Sequence, residues 1–349
     1  MLIFIVKRLF SGILVTLSVV VVISSIIYLA PVDPARLTFG QRSENTAIDD
    51  KRAALGLDKP LYIQMAYYLR DLTPVYLSCS ATNNFRPQNV VARLNLFACS
   101  FYVKKPYLRE SYQSGRSVSS ILGEVIPFTI ILALSALLIA SITGILLGFI
   151  AAINKDKFID SFIVGVSTLG YSVPSYVSAI ILAIVFGYLW SGWTGLNMQG
   201  SLIELDDLGD ERLVLKNLIL PAIALGIRPV AVITQLTRSS VLDIISQDYV
   251  RTAVSKGLIY RKVLERHVLK NSMNPIVTAI TGWLASLLAG AFFVEYVFSY
   301  KGLGFTTVTA LLNYDIPVIL GCVIFVSLIF VLLNIIVDVI YIWLNPREI

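Results

Sequence analysis

The sequence predicts an all-α integral membrane protein with six transmembrane helices and an external subdomain between the first two. Three observations lead there. Apolar residues make up 56% of the 349 positions and charged ones only 14%, against about 25% charged in an average soluble domain. The apolar residues also fall in long uncharged runs, and about 20 such residues at 1.5 Å each cross roughly 30 Å of hydrocarbon. Finally, the short connections alternate in charge, as the positive-inside rule requires of a multispan chain.

The first span is residues 9–30, preceded by Lys7 and Arg8. A cleaved signal peptide would have an apolar core of about 7–15 residues; this run is longer and ends in YLAPVDPA, so it reads as a retained anchor. Residues 31–120 are polar and mixed, an external (periplasmic) subdomain. Within it, AALGLDKPLYIQMAYYLRDL predicts an amphipathic helix after Pro60, with Tyr62, Met65, Ala66 and Leu69 on one face. Residues 121–349 form a five-helix core. Its second span, 126–153, opens with Pro127 in the favoured first turn. The third, 162–190, carries LGYSVPSY, where Pro174 should kink or break the helix, and Trp190 and Trp193 suit the membrane–water boundary. The fourth is 217–237, the fifth 276–294 and the sixth 316–337, continuing to about 344.

Loop 154–160 holds two Lys and region 238–275 seven Lys or Arg, while loop 191–216 is acidic. That places the basic connections and both termini in the cytoplasm. The net charge of +6 is spread along the chain and fits this pattern, with lipid as the contact rather than a nucleic acid. No G-x-x-x-x-G-K-[ST] phosphate loop is present, so the chain carries no ATPase motif of that kind. One His and dispersed Cys leave no catalytic residue set and no metal site. Cys79 and Cys99 share the polar region and form a candidate disulfide if it faces an oxidising compartment. Cys322 lies in an apolar run.

Residues 247–275, QDYVRTAVSKGLIYRKVLERHVLKNSMNP, stand apart, with six basic residues and the single histidine. Asp248 is placed to cap a helix starting at Tyr249, and Gly257 stands where a C-terminal cap favours positive φ. A second helix over 259–272 follows, and Pro275 marks the return to the membrane. Ala253 and Gly257, four apart, would let another surface approach the backbone. Tyr249, Val250 and Val254 supply apolar contacts and Arg251 and Lys256 charge. The segment reads as a docking knob for a cytosolic partner or as an amphipathic loop on lipid headgroups. Intramembrane charges are functional candidates by default: Arg228 and Glu295 are the candidate pathway residues, with Asp338 an interfacial structural one.

DYVRTAVSKGL followed by RHVLKNSMNPIV resembles the cytoplasmic signature of binding-protein-dependent ABC importer permeases, closest to the first-permease branch of the dipeptide/oligopeptide family. YLAPVDPA, LGLDKPL, SYQSGRSV, LGYSVPSY, EYVFSYKGLG, NYDIPV and NIIVDVIYIWLNPR resemble further family stretches in the same order. The resemblance implies the type I importer permease fold in a bacterial inner membrane. It implies a coupling helix that fits a cleft on an ATPase subunit, matched by Asp248, Tyr249, Arg251, Ala253 and Gly257, with Arg266, His267, Asn271 and Pro275 packing downstream. The implied partners are a homologous second permease, two ATPase subunits or one homodimer, which bind the ATP and Mg, and an external substrate-binding protein. Cargo would be di- or oligopeptides; nickel, glutathione or another small solute is the alternative within the family. An ion-coupled secondary transporter would need paired intramembrane acids, and a non-transporting scaffold leaves the docking segment unexplained. Residues 73–105, Asn345 and Arg228 depart from the family pattern, and 73–105 looks like an insertion.

Overall fold

A computed structural model describes residues 2–29, 52, 57–78, 90–96, 99–206 and 208–344. Each expected span overlaps helix, with breaks at residues 173–174 inside the third and at 291 inside the fifth. α1 is Leu2–Leu29, α2 Leu61–Leu72, α3 Val118–Ile153, α4 Phe158–Ser172 and α5 Ser175–Leu182, which runs into a π-helical stretch at Ala183–Leu189. α6 is Lys216–Ile245, α7 Asp248–Ser255 and α8 Tyr260–Val263, which continues through a π turn at Leu264–Leu269 into α9, Lys270–Gly290. α10 is Phe292–Val297, α11 Leu303–Leu312 and α12 Ile316–Leu344. Among the described residues, α3, α6 and 24 residues of α12 are each long and apolar enough to cross a membrane; α4 and the helix after it, bent by 104° at a short break, are long and apolar enough only when taken together, as one broken span or a re-entrant pair. Pro174 sits at that bend, as a residue without an N–H and with fixed φ dictates.

The chain divides into two compact units, residues 10–124 with 309–327, and the remainder. In the first, Val20, Tyr68, Tyr112, Ile316, Leu320 and Ile324 form a buried core. The predicted face of α2 is corrected here. Gln64 and Tyr68, one turn apart, are the buried pair, whereas Tyr62 is 71% exposed. Gln64 lies inward because its side-chain amide donates to the Lys59 carbonyl at 2.7 Å, which satisfies a polar group on an otherwise apolar face.

Strands β1 (Val75–Ser78), β2 (Val90–Leu96) and β3 (Cys99–Lys104) form an antiparallel sheet in the order β1-β3-β2. This sheet occupies the stretch read as an insertion, so the segment expected outside the membrane is not all-helical. Tyr76 pairs with Tyr102, and Leu94 with Phe101. At the end of β3, buried Lys104 donates to the carbonyls of Arg70 (2.7 Å) and Asp71 (3.3 Å). These are last-turn carbonyls of α2, without an intrahelical partner and at the negative end of the helix dipole. Burial lowers the Lys104 ammonium below its ordinary value. Cys79 lies outside the described residues, as does the Cys99 side chain, so the expected disulfide does too. Ser111 and the Tyr112 amide bind the buried Asp315 carboxylate, fastening SYQSG to NYDIP.

In the second unit, α3 and α6 approach through small residues. A Cβ on Gly148 would lie 2.4 Å from the Thr234 carbonyl oxygen, and one on Gly144 2.8 Å from Ile233. Such close backbone contact is how helices associate where apolar burial offers little drive. Leu132, Ala136, Ala179, Ala224 and Tyr300 belong to the core around them. Asp338 is paired with Arg8, Nη2 to Oδ2 at 2.6 Å, which agrees with its structural reading.

Candidate functional site

Residues 247–275 fold as two helices about a glycine turn. α7 buries Val250 and Ala253, three apart on one face, into a cluster with Ala152, Val241, Val263, Leu264 and Val268. The opposite face is bare: the Asp248 and Arg251 side chains are 97% and 74% exposed, only 3.7 Å apart, and Tyr249, Val254 and Lys256 are also exposed. Leu258, Ile259 and Tyr260 extend this surface, with Ile259 at 68% exposure. Basic and large apolar side chains thus share one outward surface, and the helix beneath it is fixed by its own core.

Three details differ from the sequence expectation. Asp248 is the first helical residue rather than the cap; Gln247 precedes the helix, and no side chain caps its end. An acidic residue there still complements the positive end of the helix dipole. Ala253 points inward, so its small side chain serves the chain's own packing and not the approach of another surface. Pro275 does not end a helix. It lies inside α9, so the second helix of the segment runs on past it without a break.

Gly257 has φ +78°, and a Cβ there would meet nothing within 4 Å. Glycine is needed for the left-handed backbone that turns the chain from α7 toward α8. Asn271 ties the two helices: its side-chain amide donates to the Tyr249 hydroxyl (3.0 Å) and to the His267 carbonyl (2.8 Å). Tyr249 is therefore held in place although exposed. Arg266 is exposed and His267 half-buried. Arg261 donates to Glu265 at 2.9 Å, and this contact raises its already high basicity.

The two candidate pathway residues separate. Glu295 has no exposed surface. Its Oε1 accepts from Thr129 Oγ1 at 2.7 Å, and its Oε2 from the amides of Gly304 (2.7 Å) and Phe305 (3.1 Å). The carboxylate caps α11 and holds the preceding turn, and it does not line a cavity exit as expected. EYVFSYKGLG makes sense on this geometry, since a Cβ on Gly302 would fall 2.5 Å from Glu295 Oε2 and one on Gly304 2.4 Å from Phe292 Cα. Arg228 is half-buried, its guanidinium 5.3 Å from the Tyr171 ring centre. Its Nε is buried without a hydrogen-bond acceptor among the described residues.

Sequence reading missed one pair beside the site. Asp160, 3% exposed, is held by Arg238 through Nε–Oδ1 at 2.5 Å and Nη2–Oδ2 at 2.6 Å. The pair fastens the start of α4 to the end of α6. Lying 78 residues apart, the two residues carry no sequence signal of their meeting.

Comparison with known proteins gives concordant results. Residues 144–349 match the family described as binding-protein-dependent transport system inner membrane component, and residues 1–84 its N-terminal counterpart. The chain is 32% identical to the di/tripeptide transport system permease protein DppB of Pseudomonas aeruginosa, over 99% of this chain and 98% of that one. It is 30% identical to the dipeptide transport system permease protein DppB of Alkalihalophilus pseudofirmus, over 99% of each. Among solved structures, a chain of the inward-facing MetNI methionine ABC transporter superposes with a TM-score of 0.52 at 14% identity, covering 65% of this chain and 97% of that one. At that identity the likeness concerns the fold alone.

Proposed function

The chain belongs to the family of binding-protein-dependent transport system inner membrane components, and from that premise we propose that it is the membrane-spanning permease subunit of an ATP-driven importer of di- and oligopeptides. The fold is that of a type I ABC importer permease. The peptide cargo is supported by full-length relatives named as di/tripeptide and dipeptide permeases. Nickel, glutathione or another small solute is the alternative cargo.

The observation that carries the coupling role is the outward face of α7 and the turn after it. Tyr249, Arg251 and Val254 lie on a helix whose other face is built into the chain's core, and exposed Lys256 follows at its end. A surface that is apolar, basic and rigidly backed suits a cleft on another protein. A soft lipid surface makes no use of the Asn271–Tyr249 tether. The partner in this reading is an ATPase subunit that binds ATP and Mg, present as two subunits or a homodimer. A homologous second permease completes the pathway, and an external binding protein delivers cargo. The basic connections and both termini then lie on the cytoplasmic side of the bacterial inner membrane. The chain performs no bond chemistry. ATP-driven closure of the ATPase pair changes its contacts with α7, and only such differential contact shifts the permease between states.

The test is co-expression with the second permease, the ATPases and the binding protein. Arg251→Glu with Lys256→Glu should leave both permeases in the membrane but abolish ATPase co-purification and peptide-stimulated ATP hydrolysis in proteoliposomes. Normal assembly and stimulation in that double variant would overturn the coupling assignment.

A further inference from the structure

We infer that Arg228 and the polar face around it bind the carboxylate of the transported peptide within the membrane; this rests on the peptide reading above. Arg228 is twelve residues into α6 and so about 18 Å from its start, one residue from the middle of the expected 217–237 span. A guanidinium at that depth is retained only in the bundle interior or at a watery cavity, with a counter-charge or acceptor at hand. Among the described residues it has neither: its Nε lacks an acceptor. Three acids in or beside the spans are engaged elsewhere, Asp160 by Arg238, Glu295 by Thr129 and two amides, and Asp338 by Arg8.

Polar groups lie beside Arg228 on a stretch of α4 that otherwise exposes Val166 and Leu169. Tyr171, 47% exposed, covers one side of the guanidinium. Two turns along α6, exposed Gln235 donates to exposed Thr168 of α4 at 3.3 Å. Arg228, Tyr171, Thr168 and Gln235 therefore make a polar row across α4 and α6 in an otherwise apolar region. The row ends at the 104° break after Ser172, two residues beyond Tyr171. Interrupted backbone at membrane depth is tolerated only where it is buried in protein or lines a water-filled cavity. A guanidinium lying over a ring still has N–H groups to offer in two parallel bonds to a carboxylate, the one charged group that every unmodified peptide presents at its C-terminus.

The experiment uses the complete transporter in proteoliposomes and compares ATP-dependent uptake of one dipeptide as free acid and as C-terminal amide. Each is supplied at a concentration that saturates the binding protein. Arg228→Gln should lower free-acid uptake at least tenfold and leave amide uptake unchanged, with Arg228→Lys in between. A parallel fall for both peptides, with dissociation of the permease pair, would overturn the inference and place Arg228 opposite a carboxylate of the second permease. A second measurement does not depend on the binding protein. Gln235→Cys in the purified complex should react with a hydrophilic maleimide, and excess free-acid dipeptide should slow that reaction while the amide does not. Absence of reactivity, or equal protection by both, refutes the site. If the unaltered complex moves neither peptide, the cargo reading fails, whereas the maleimide reaction still reports whether the face is wet.

Discussion

Replacing Glu295 separates a structural latch from a pathway carboxylate. Glu295→Ala removes the acceptor of two backbone amides, Gly304 and Phe305, and of the Thr129 hydroxyl. A buried donor left unsatisfied costs about 1–3 kcal/mol, so the two amides alone amount to about 2–6 kcal/mol. Glu295→Gln keeps a carbonyl oxygen for the two amides but sets an NH2 where Oε1 accepted from Thr129, so it loses charge assistance and that one acceptor, about 1–3 kcal/mol. Thermal unfolding of the purified complex, followed by fluorescence-detected size exclusion, should rank wild type above Gln and Gln well above Ala. Gly302→Ala adds a coupled check. Its Cβ would fall 2.5 Å from the Glu295 carboxylate, so its penalty should shrink in the Glu295→Ala background, the non-additivity expected of groups in contact. Peptide uptake by the Gln variant should stay near wild type. Abolished uptake at unchanged unfolding midpoint would refute the latch and restore Glu295 to the pathway.

Other predictions follow from the same contacts. Arg238→Gln leaves the buried Asp160 carboxylate without its cation and should destabilise the complex by about 1–3 kcal/mol, whereas Asp160→Asn leaves a partly exposed guanidinium that water can reach and should cost less, with the double variant below the sum; equal and additive losses would deny the pair. Lys104→Met removes one of two donors from each carbonyl, Thr73 Oγ1 remaining on Arg70 and the Tyr107 amide on Asp71, and at about 0.5–1.5 kcal/mol backbone exchange near residues 69–73 should quicken roughly 2- to 10-fold by hydrogen-exchange mass spectrometry. Asp338→Asn breaks a half-exposed pair with Arg8 and should cost no more than about 1 kcal/mol, read as a small shift of the unfolding midpoint.

The spans were legible because about twenty apolar residues in a row have few other solutions, and the Pro174 break because proline acts locally. The sheet at residues 75–104 was not, although Val90–Leu96 and Cys99–Lys104 are rich in β-branched and aromatic residues. Charges and turn residues blur the alternation, and strand pairing is a long-range event that no local window reports. The α2 face was misread for a related reason. Gln64 looks like a surface residue until the Lys59 carbonyl that satisfies it is in place. Glu295 shows the same limit from the functional side. Sequence places an acid near a membrane boundary, which reads as a pathway feature by default, whereas the fold folds Gly302–Phe305 back over it. Arg228 differs in that its Nε finds no acceptor among the described residues.

The inward position of Ala253 changes which substitutions can test coupling. Ala253→Asp would bury a carboxylate among Val241, Val250 and Val263 with no cation to receive it, and an uncompensated buried charge costs several kcal/mol. Such a variant would lose ATPase coupling through collapse of the α7 seat, whatever α7 touches. Gly257→Ala is milder: the space around it is open, and the strain of φ +78° is about 1–2 kcal/mol, so assembly should survive it. Arg251→Glu disturbs neither packing nor backbone, since its side chain is 74% exposed. The expected pattern is a lowered unfolding midpoint for Ala253→Asp, a slight shift for Gly257→Ala and none for Arg251→Glu, with ATPase co-purification lost in the first and third. If Arg251→Glu retains its ATPase while Ala253→Asp alone loses it, α7 supports the membrane core and the docking surface lies elsewhere on the basic side.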